Sequence, residues 1–234
     1  MKEFKHCDKC KNGYIIEKGE IKRCECLITY QFNHYLEIQV TKNGLPKSIL
    51  DYNISNYIGE DKNNNIKNIK RYVEVFEEKP NISLYFYGKS STQKTTLAQY
   101  VGRELLKKDK TVFFINMGDL VDKLQKADRD EEILVFIEEL LKKDLLIIDD
   151  SFDSKKITMF QSGWQNAYID KFFRKRLESL EKACIFTSNI NYNNTWDTKF
   201  SEFIKTLIQR NTIFMEFNDN IEQAKKFDID SLWD

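Results

Sequence analysis

Several things are scarce in this chain, and each shortage closes off a class of protein. Glycine and proline number only 8 and 2 among 234 residues, in keeping with a compact chain. No apolar run approaches the ~20 residues of a membrane-spanning helix. The opening Met1-Lys2-Glu3-Phe4-Lys5 lacks the hydrophobic stretch of a signal peptide, so the cytoplasm is the expected location and no membrane partner is expected. Net charge is also missing: 37 basic residues cancel 37 acidic ones, so the whole-molecule field cannot gather nucleic acid, and any such binding must come from a local patch. The two histidines, His6 and His34, belong to no catalytic constellation, and no internal repeat is visible. What remains is a chain with 41% hydrophobic residues, enough for one α/β core and a small appendage.

Cysteine is concentrated rather than scarce. Cys7-x-x-Cys10 and Cys24-x-Cys26 fall within the first 26 residues, and a reducing compartment argues against disulfides between them. Thiolates at these spacings form two knuckles, and the alternating stretch Gly13 to Lys22 predicts a hairpin that brings them around a tetrahedral zinc ion. His6 is the alternative ligand for one of the four. Four thiolates leave no open position, which argues for structural and against catalytic zinc. Such sites supply about 10–16 kcal/mol of apparent binding energy, enough to fold a segment with no core of its own. Cys184, inside Ala183-Cys184-Ile185-Phe186, reads as a packing residue.

Gly88-Lys89-Ser90-Ser91-Thr92-Gln93-Lys94-Thr95-Thr96 follows the apolar run Ile82 to Tyr87 and opens a helical pattern, the strand, turn and helix context of a phosphate-binding loop. Gly88 permits the sharp turn, Lys94 reaches the β and γ phosphates of ATP, and the Thr95 hydroxyl, beside Thr96, offers a ligand to magnesium. Gln93 stands where the pattern has glycine and the backbone passes close to phosphate. Alone, residues 88–96 also read as a lysine-rich helix start. The second segment, Leu145-Leu146-Ile147-Ile148-Asp149-Asp150, decides between the two: a buried parallel strand ending in two acids places them at the sheet edge where ligands bind. Asp149 would hold magnesium through water, and Asp150 would polarise the attacking water.

Around these anchors the pattern predicts a hairpin domain over 1–27, a helix and linker over 28–65, and an ATPase core over 66–234. A helix runs from 28 to about 41 and stops at Asn43-Gly44 and Pro46. Strands are expected at 82–87, 111–116, 145–149, 183–188 and 212–217. Helices are expected at 66–77, 94–107, across 118–142 and over about 164–180. That alternation argues for a parallel sheet flanked by helices.

In order, the zinc hairpin, Asn43-Gly44-Leu45-Pro46, Leu84-Tyr85-Phe86-Tyr87-Gly88, Lys94-Thr95-Thr96, Leu146-Ile147-Ile148-Asp149-Asp150 and Phe186-Thr187-Ser188-Asn189 resemble the DnaC/DnaI-type replicative helicase loaders, including those carried by phages, over residues 7 to about 217. The resemblance implies an AAA+ P-loop ATPase core. It makes Asn189, aided by Ser188, the sensor of γ-phosphate and water. It implies an N-terminal domain that grips a hexameric helicase, and a core that binds single-stranded DNA. On that basis Tyr14, Ile15, Ile21, Tyr35 and Leu36 are expected to form the docking surface. An arginine finger from a neighbouring subunit would imply self-association.

The departures from this pattern concern catalysis. Asp150 replaces the usual glutamate and shortens its reach, in a setting where ~1 Å can cost ~100-fold, so slow ATP hydrolysis is expected. The segment due to carry the finger offers only Lys205 and Arg210, and Asn218 to Gln223 lacks the expected basic sensor. Lys171-Phe172-Phe173-Arg174-Lys175-Arg176, with Lys155-Lys156 upstream, combines cations and aromatics as single-strand binding requires. The same run also fits a helix with Phe172, Phe173 and Leu177 inward and a solvated basic face, and Arg174 or Arg176 could instead reach across a subunit interface. The tail from Phe227 to Asp234 either packs on its own domain or docks a partner. Two other functions share the motifs: an IstB-like transposition ATPase, which would not be expected to carry the cysteine hairpin, and a non-hydrolysing adaptor that seizes a replication protein.

Overall fold

The computed structural model describes residues 4–59, 61, 63–152, 164–191 and 201–218. The chain starts with a hairpin, β1 (Tyr14–Glu17) and β2 (Glu20–Arg23), paired antiparallel from Tyr14↔Arg23 to Glu17↔Glu20. Its two-residue turn, Lys18-Gly19, has positive φ at both positions, as the strand twist demands. Cys24 caps the following helix, α1 (Glu25–Lys42), and Cys26 lies in its first turn, so the second cysteine pair joins hairpin to helix. Leu36 and Val40 turn the far end of α1 inward.

Helix α1 ends where Gly44, at φ 77°, brings the backbone against the sheet, and a Cβ there would lie 2.5 Å from the Phe114 carbonyl. Leu45, Ile49 and Ile54 continue the buried layer. The Arg103 guanidinium, 5% exposed, fixes this stretch by donating to the carbonyls of Ile49, Leu50 and Tyr52 at 2.5, 3.2 and 2.6 Å. Residues 36–54 therefore pack into the same hydrophobic layer as the core that follows.

That core contains α2 (Asn65–Val75), β3 (Ser83–Gly88), α3 (Lys94–Leu106), β4 (Val112–Asn116), α4 (Met117–Lys126), α5 (Glu131–Lys142), β5 (Leu145–Asp149), α6 (Trp164–Phe173), β6 (Ala183–Ser188), α7 (Glu202–Arg210) and β7 (Thr212–Phe217). The strands form one parallel sheet in the order β4-β5-β6-β3-β7. Alternate residues feed opposite layers. Leu84, Phe86, Ile147 and Ile185 pack under α1, α2 and α3, while Tyr85, Leu146, Ile148 and Phe186 pack under α4 to α7. The expected core strands are all present, and no described helix is long and apolar enough to cross a membrane.

Two features depart from the sequence reading. Helix α7 occupies the stretch due to carry the finger; Ser201 caps it by accepting the Ile204 N–H, and Ile204, Leu207 and Ile208 face inward. Helix α6 keeps α-helical bonding to Phe173 and then widens into a π-helical turn, Arg174–Ser179. That turn carries Arg176 inside, fully buried, where it donates to the carbonyls of Leu140, Leu141 and Ala183 at 2.8, 3.1 and 2.6 Å and to the Cys184 thiol. Arg176 is thus a structural clamp, unable to touch DNA or a neighbour's phosphates. Phe172 and Phe173 are core residues as well, and burial pushes the Cys184 thiol up.

Candidate nucleotide site and metal centre

The site gathers at the C-terminal edge of the sheet, where α/β folds bind ligands. Strand β3 ends at Gly88, φ 131°, packed so closely on the end of β7 that a Cβ would lie 2.2 Å from the Phe217 carbonyl. Glycine is the residue that fits there. Beyond it Ser91 and Gln93 both take left-handed conformations, φ 61° and 60°, and α3 begins at Lys94. A turn of this kind aims successive N–H groups at one point, at the positive end of a helix. The loop, Asp150 and residues 187–189 line a cavity of about 400 Å³.

The Lys94 ammonium is drawn into the loop by the carbonyls of Gly88 and Lys89, at 3.1 and 2.5 Å, and by Thr92 Oγ1 at 3.1 Å. Gln93 accepts the Ile58 N–H at 3.4 Å through its side-chain oxygen, which ties the stretch before α2 to the phosphate loop. Asp149 accepts a hydrogen bond from Thr95 Oγ1 at 2.8 Å and a short one from Thr187 Oγ1. Thr95 and Asp149, expected to share magnesium, are therefore adjacent. Asp150 follows at φ 51°, a backbone region that aspartate tolerates better than longer side chains, which gives a local reason for the shorter acid. Thr96 and Asn189 line the cavity, with Asn189 exposed beyond the end of β6.

Other expected residues lie elsewhere. Arg210 ends α7 at the opposite edge of the sheet and pairs with Glu178 at 3.6 Å. Lys205 lies within α7, 4.0 Å from Glu202. Arg174 is exposed and stacks on the Phe203 ring at 3.9 Å. Lys155, Lys156, residues 219–223 and the tail from Phe227 lie outside the described residues. Thr187, within Phe186-Thr187-Ser188-Asn189, is a site residue that the sequence alone does not single out, because its place beside Asp149 depends on the register Ile148↔Phe186, which strand pairing supplies.

The four N-terminal cysteines converge, with all their sulfurs within 4.8 Å of one another. Cys7–Cys24, Cys7–Cys10 and Cys10–Cys26 stand 3.6, 3.7 and 3.4 Å apart. Four sulfurs at about 2.3 Å from a tetrahedral zinc lie about 3.8 Å from each other, so the set fits that ion. A disulfide needs about 2.05 Å. The Lys9 amide, followed by the Cys24 thiol, draws the Cys7 thiol down to about 7, toward the thiolate that a metal requires. His6 is outside the group; its ring faces the Cys7 carbonyl at 3.4 Å.

The family model for IstB-like ATP-binding proteins matches residues 28–210. The chain belongs to that family. A relative, an ATP-binding protein of insertion sequence IS232 from Bacillus thuringiensis subsp. berliner, is 30% identical over 134 residues, 56% of this chain; the match spans about half of that protein, 48%. Among solved structures the DnaC helicase loader superposes with a TM-score of 0.62 at 20% identity, covering 74% of this chain and 100% of that one. DnaI follows at 0.58 and 17%, covering 75% and 92%. AMPPCP-bound DnaA from Aquifex aeolicus gives 0.57 at 21%, over 71% of this chain and half of its own length. At these identities the likeness establishes the fold, that of AAA+ P-loop proteins. The family match begins after the cysteine hairpin, which IstB-like membership alone leaves unexplained.

Proposed function

We propose that this protein is an ATP-binding helicase loader: it docks a replicative hexameric helicase through its N-terminus and delivers it to single-stranded DNA, with slow ATP hydrolysis. The observation that carries the reading is the four-cysteine hairpin joined through α1 to an AAA+ core, with apolar side chains turned to solvent. Ile16 and Ile21 face each other across the hairpin and are 77% and 74% exposed. Tyr14 beside them and Ile28, Phe32, Tyr35 and Ile38 along α1 are also exposed. Leu36, expected in this surface, is buried and drops out of it. Exposed apolar patches of this kind mark docking surfaces.

In this reading residues 1–27 form the zinc hairpin, 28–65 the helix and linker, of which 36–54 pack into the core, and 66–234 the ATPase. Lys94 and the loop amides bind the ATP phosphates, with Gly88, Gln93 and Thr96 shaping the loop. Thr95 and Asp149 hold magnesium, which supplies charge neutralisation at the phosphates. Asp150 orients water and Asn189 senses the γ-phosphate. Of the cations in residues 171–176, Lys171, Arg174 and Lys175 are exposed and offer contacts to DNA.

The test uses the full-length chain, because removing everything before residue 66 would strip Leu36, Val40, Leu45, Ile49 and Ile54 from the core. Ile16→Ser with Ile21→Ser should abolish co-purification with the host replicative helicase and leave ATP binding intact. Arg174→Ala with Lys175→Ala should weaken single-strand binding and flatten its salt dependence. Absence of any helicase in pull-downs of the intact protein would end the loader reading. A second reading, a transposition ATPase, draws on the IstB-like family and the IS232 relative. Capture of a transposase instead would favour it.

A further inference from the structure

The two acids at the end of β5, Asp149 and Asp150, are joined by a group that the phosphate loop does not account for. Thr187, near the end of β6 and 2% exposed, donates its hydroxyl to Asp149 Oδ1 and accepts the Asp150 N–H at 3.2 Å. A hydroxyl has one proton and two lone pairs, so both bonds form at once. The Thr187 carbonyl adds a third tie by accepting the Ser151 N–H at 2.7 Å. Next along the strand, the Ser188 hydroxyl donates to the Ser151 carbonyl at 2.7 Å. The ends of two neighbouring strands are thereby laced together, residue against residue.

The stretch held this way is strained. Asp150 and Phe152 both take left-handed backbone, φ 51° and 61°, and for a bulky residue such as Phe152 that is a genuine outlier. Phe152 is fully buried, its ring centroid 5.4 Å from that of Phe186, 6.1 Å from Phe173 and 6.4 Å from Tyr85. Strain of this sort survives where the surroundings over-determine it, and such places concentrate at functional sites. Here the chain turns back into the core directly after Asp150, while Asp150 itself lines the phosphate cavity.

We infer that Thr187 is the positioning residue of this site, its hydroxyl fixing the Asp149 carboxylate and the Asp150 backbone as one unit. The inference rests on reading residues 88–96 as a nucleotide site. The other hydroxyl on Asp149 belongs to Thr95, the group that a phosphate loop offers to magnesium, so that bond is the one exchanged when a magnesium nucleotide binds. Thr187 keeps the carboxylate aimed through the exchange.

The test titrates full-length protein with mant-ATP, with and without magnesium, and follows turnover in parallel. Thr187→Val removes the hydroxyl at nearly constant volume. It should cut the magnesium-dependent gain in affinity about tenfold, the value of a hydrogen bond to a charged group, and lower kcat, while affinity without magnesium stays at the wild-type level. Thr187→Ser should restore both. Should the valine protein fold poorly, alanine and serine replace it: loss in Thr187→Ala with retention in Thr187→Ser supports the inference, and equal behaviour of the two overturns it. Wild-type magnesium gain and kcat in Thr187→Val also overturn it. If the wild type binds no mant-ATP, or Lys94→Ala changes nothing, the nucleotide reading itself fails, which is a different result.

Discussion

The sheet edge and the N-terminal hairpin of this chain are built on opposite plans. At the edge the central groups are tied down several times: Lys94 by three loop oxygens, Asp149 by two hydroxyls, and the turn after Asp150 by the end of β6. Behind them lie two layers of buried apolar residues. The hairpin has two four-residue strands, mostly exposed, and four cysteines where a core would be. The first region organises itself and leaves a cavity. In the proposed reading the second is organised by a bound zinc ion and offers its exposed apolar side chains to a partner. Perturbations should therefore separate cleanly between the two.

The largest expected effect is removal of metal. The purified protein should hold about one equivalent of zinc, and stripping it, or Cys24→Ser, should abolish hydrogen-exchange protection across β1 and β2 while the core melts near its usual temperature. Metal-free protein with a protected hairpin would show that the hairpin folds by the same plan as the core. Next in size is Arg176→Ala. It should cost about 2–5 kcal/mol in chemical denaturation, because it opens a cavity and takes a charged donor away from the carbonyls of Leu140, Leu141 and Ala183. It should leave the salt dependence of single-strand binding unchanged. A surface-like loss under 0.5 kcal/mol would contradict the clamp.

Arg176 also marks where sequence reading stops. The parallel strands were legible because a strand buried on both faces must be a continuous apolar run, as in Leu145 to Ile148. The phosphate loop and the cysteine pairs were legible because their chemistry fixes residue type at fixed spacing. In Arg174-Lys175-Arg176 spacing fails, since the π-helical turn shifts the phase that a 3.6-residue period assumes. One cation of three is carried inside, and nothing local says which. Tyr35 and Leu36 illustrate the same limit at the other end: they are neighbours on α1 and both were expected on the docking surface, yet one is exposed and one is core, and the choice depends on what α1 packs against. In α7 the apolar spacing of Ile204, Leu207 and Ile208 marks a helix in the same stretch that the resemblance assigns to a finger.

Within the sheet edge, Lys94→Ala should weaken ATP binding about 10–100-fold, the equivalent of one or two charge-assisted contacts to phosphate, measured by nucleotide titration. Asp150→Asn should keep affinity and remove turnover, since it spares the loop and takes away the base. Unchanged affinity in Lys94→Ala would mean that the loop cradles no phosphate. Full turnover in Asp150→Asn would move the base elsewhere.

The smallest effect belongs to Gln93, and its sign is informative. Left-handed backbone at φ 60° costs a non-glycine residue about 1–2 kcal/mol, and glycine gives back about 0.5–1 kcal/mol through its extra freedom in the unfolded chain. On backbone grounds Gln93→Gly should therefore stabilise the protein by up to about 1 kcal/mol, read as a small rise in melting temperature. The same change removes the acceptor for the Ile58 N–H. Hydrogen exchange at Ile58 should speed up even as the whole protein gains stability. That opposite movement is the signature of a residue kept for what it holds: global stability rises while one contact to the loop is lost. If Gln93→Gly stabilises the chain and leaves Ile58 as protected as before, the glutamine does not tether that stretch, and the sheet edge is less tightly bound than its hydrogen bonds imply.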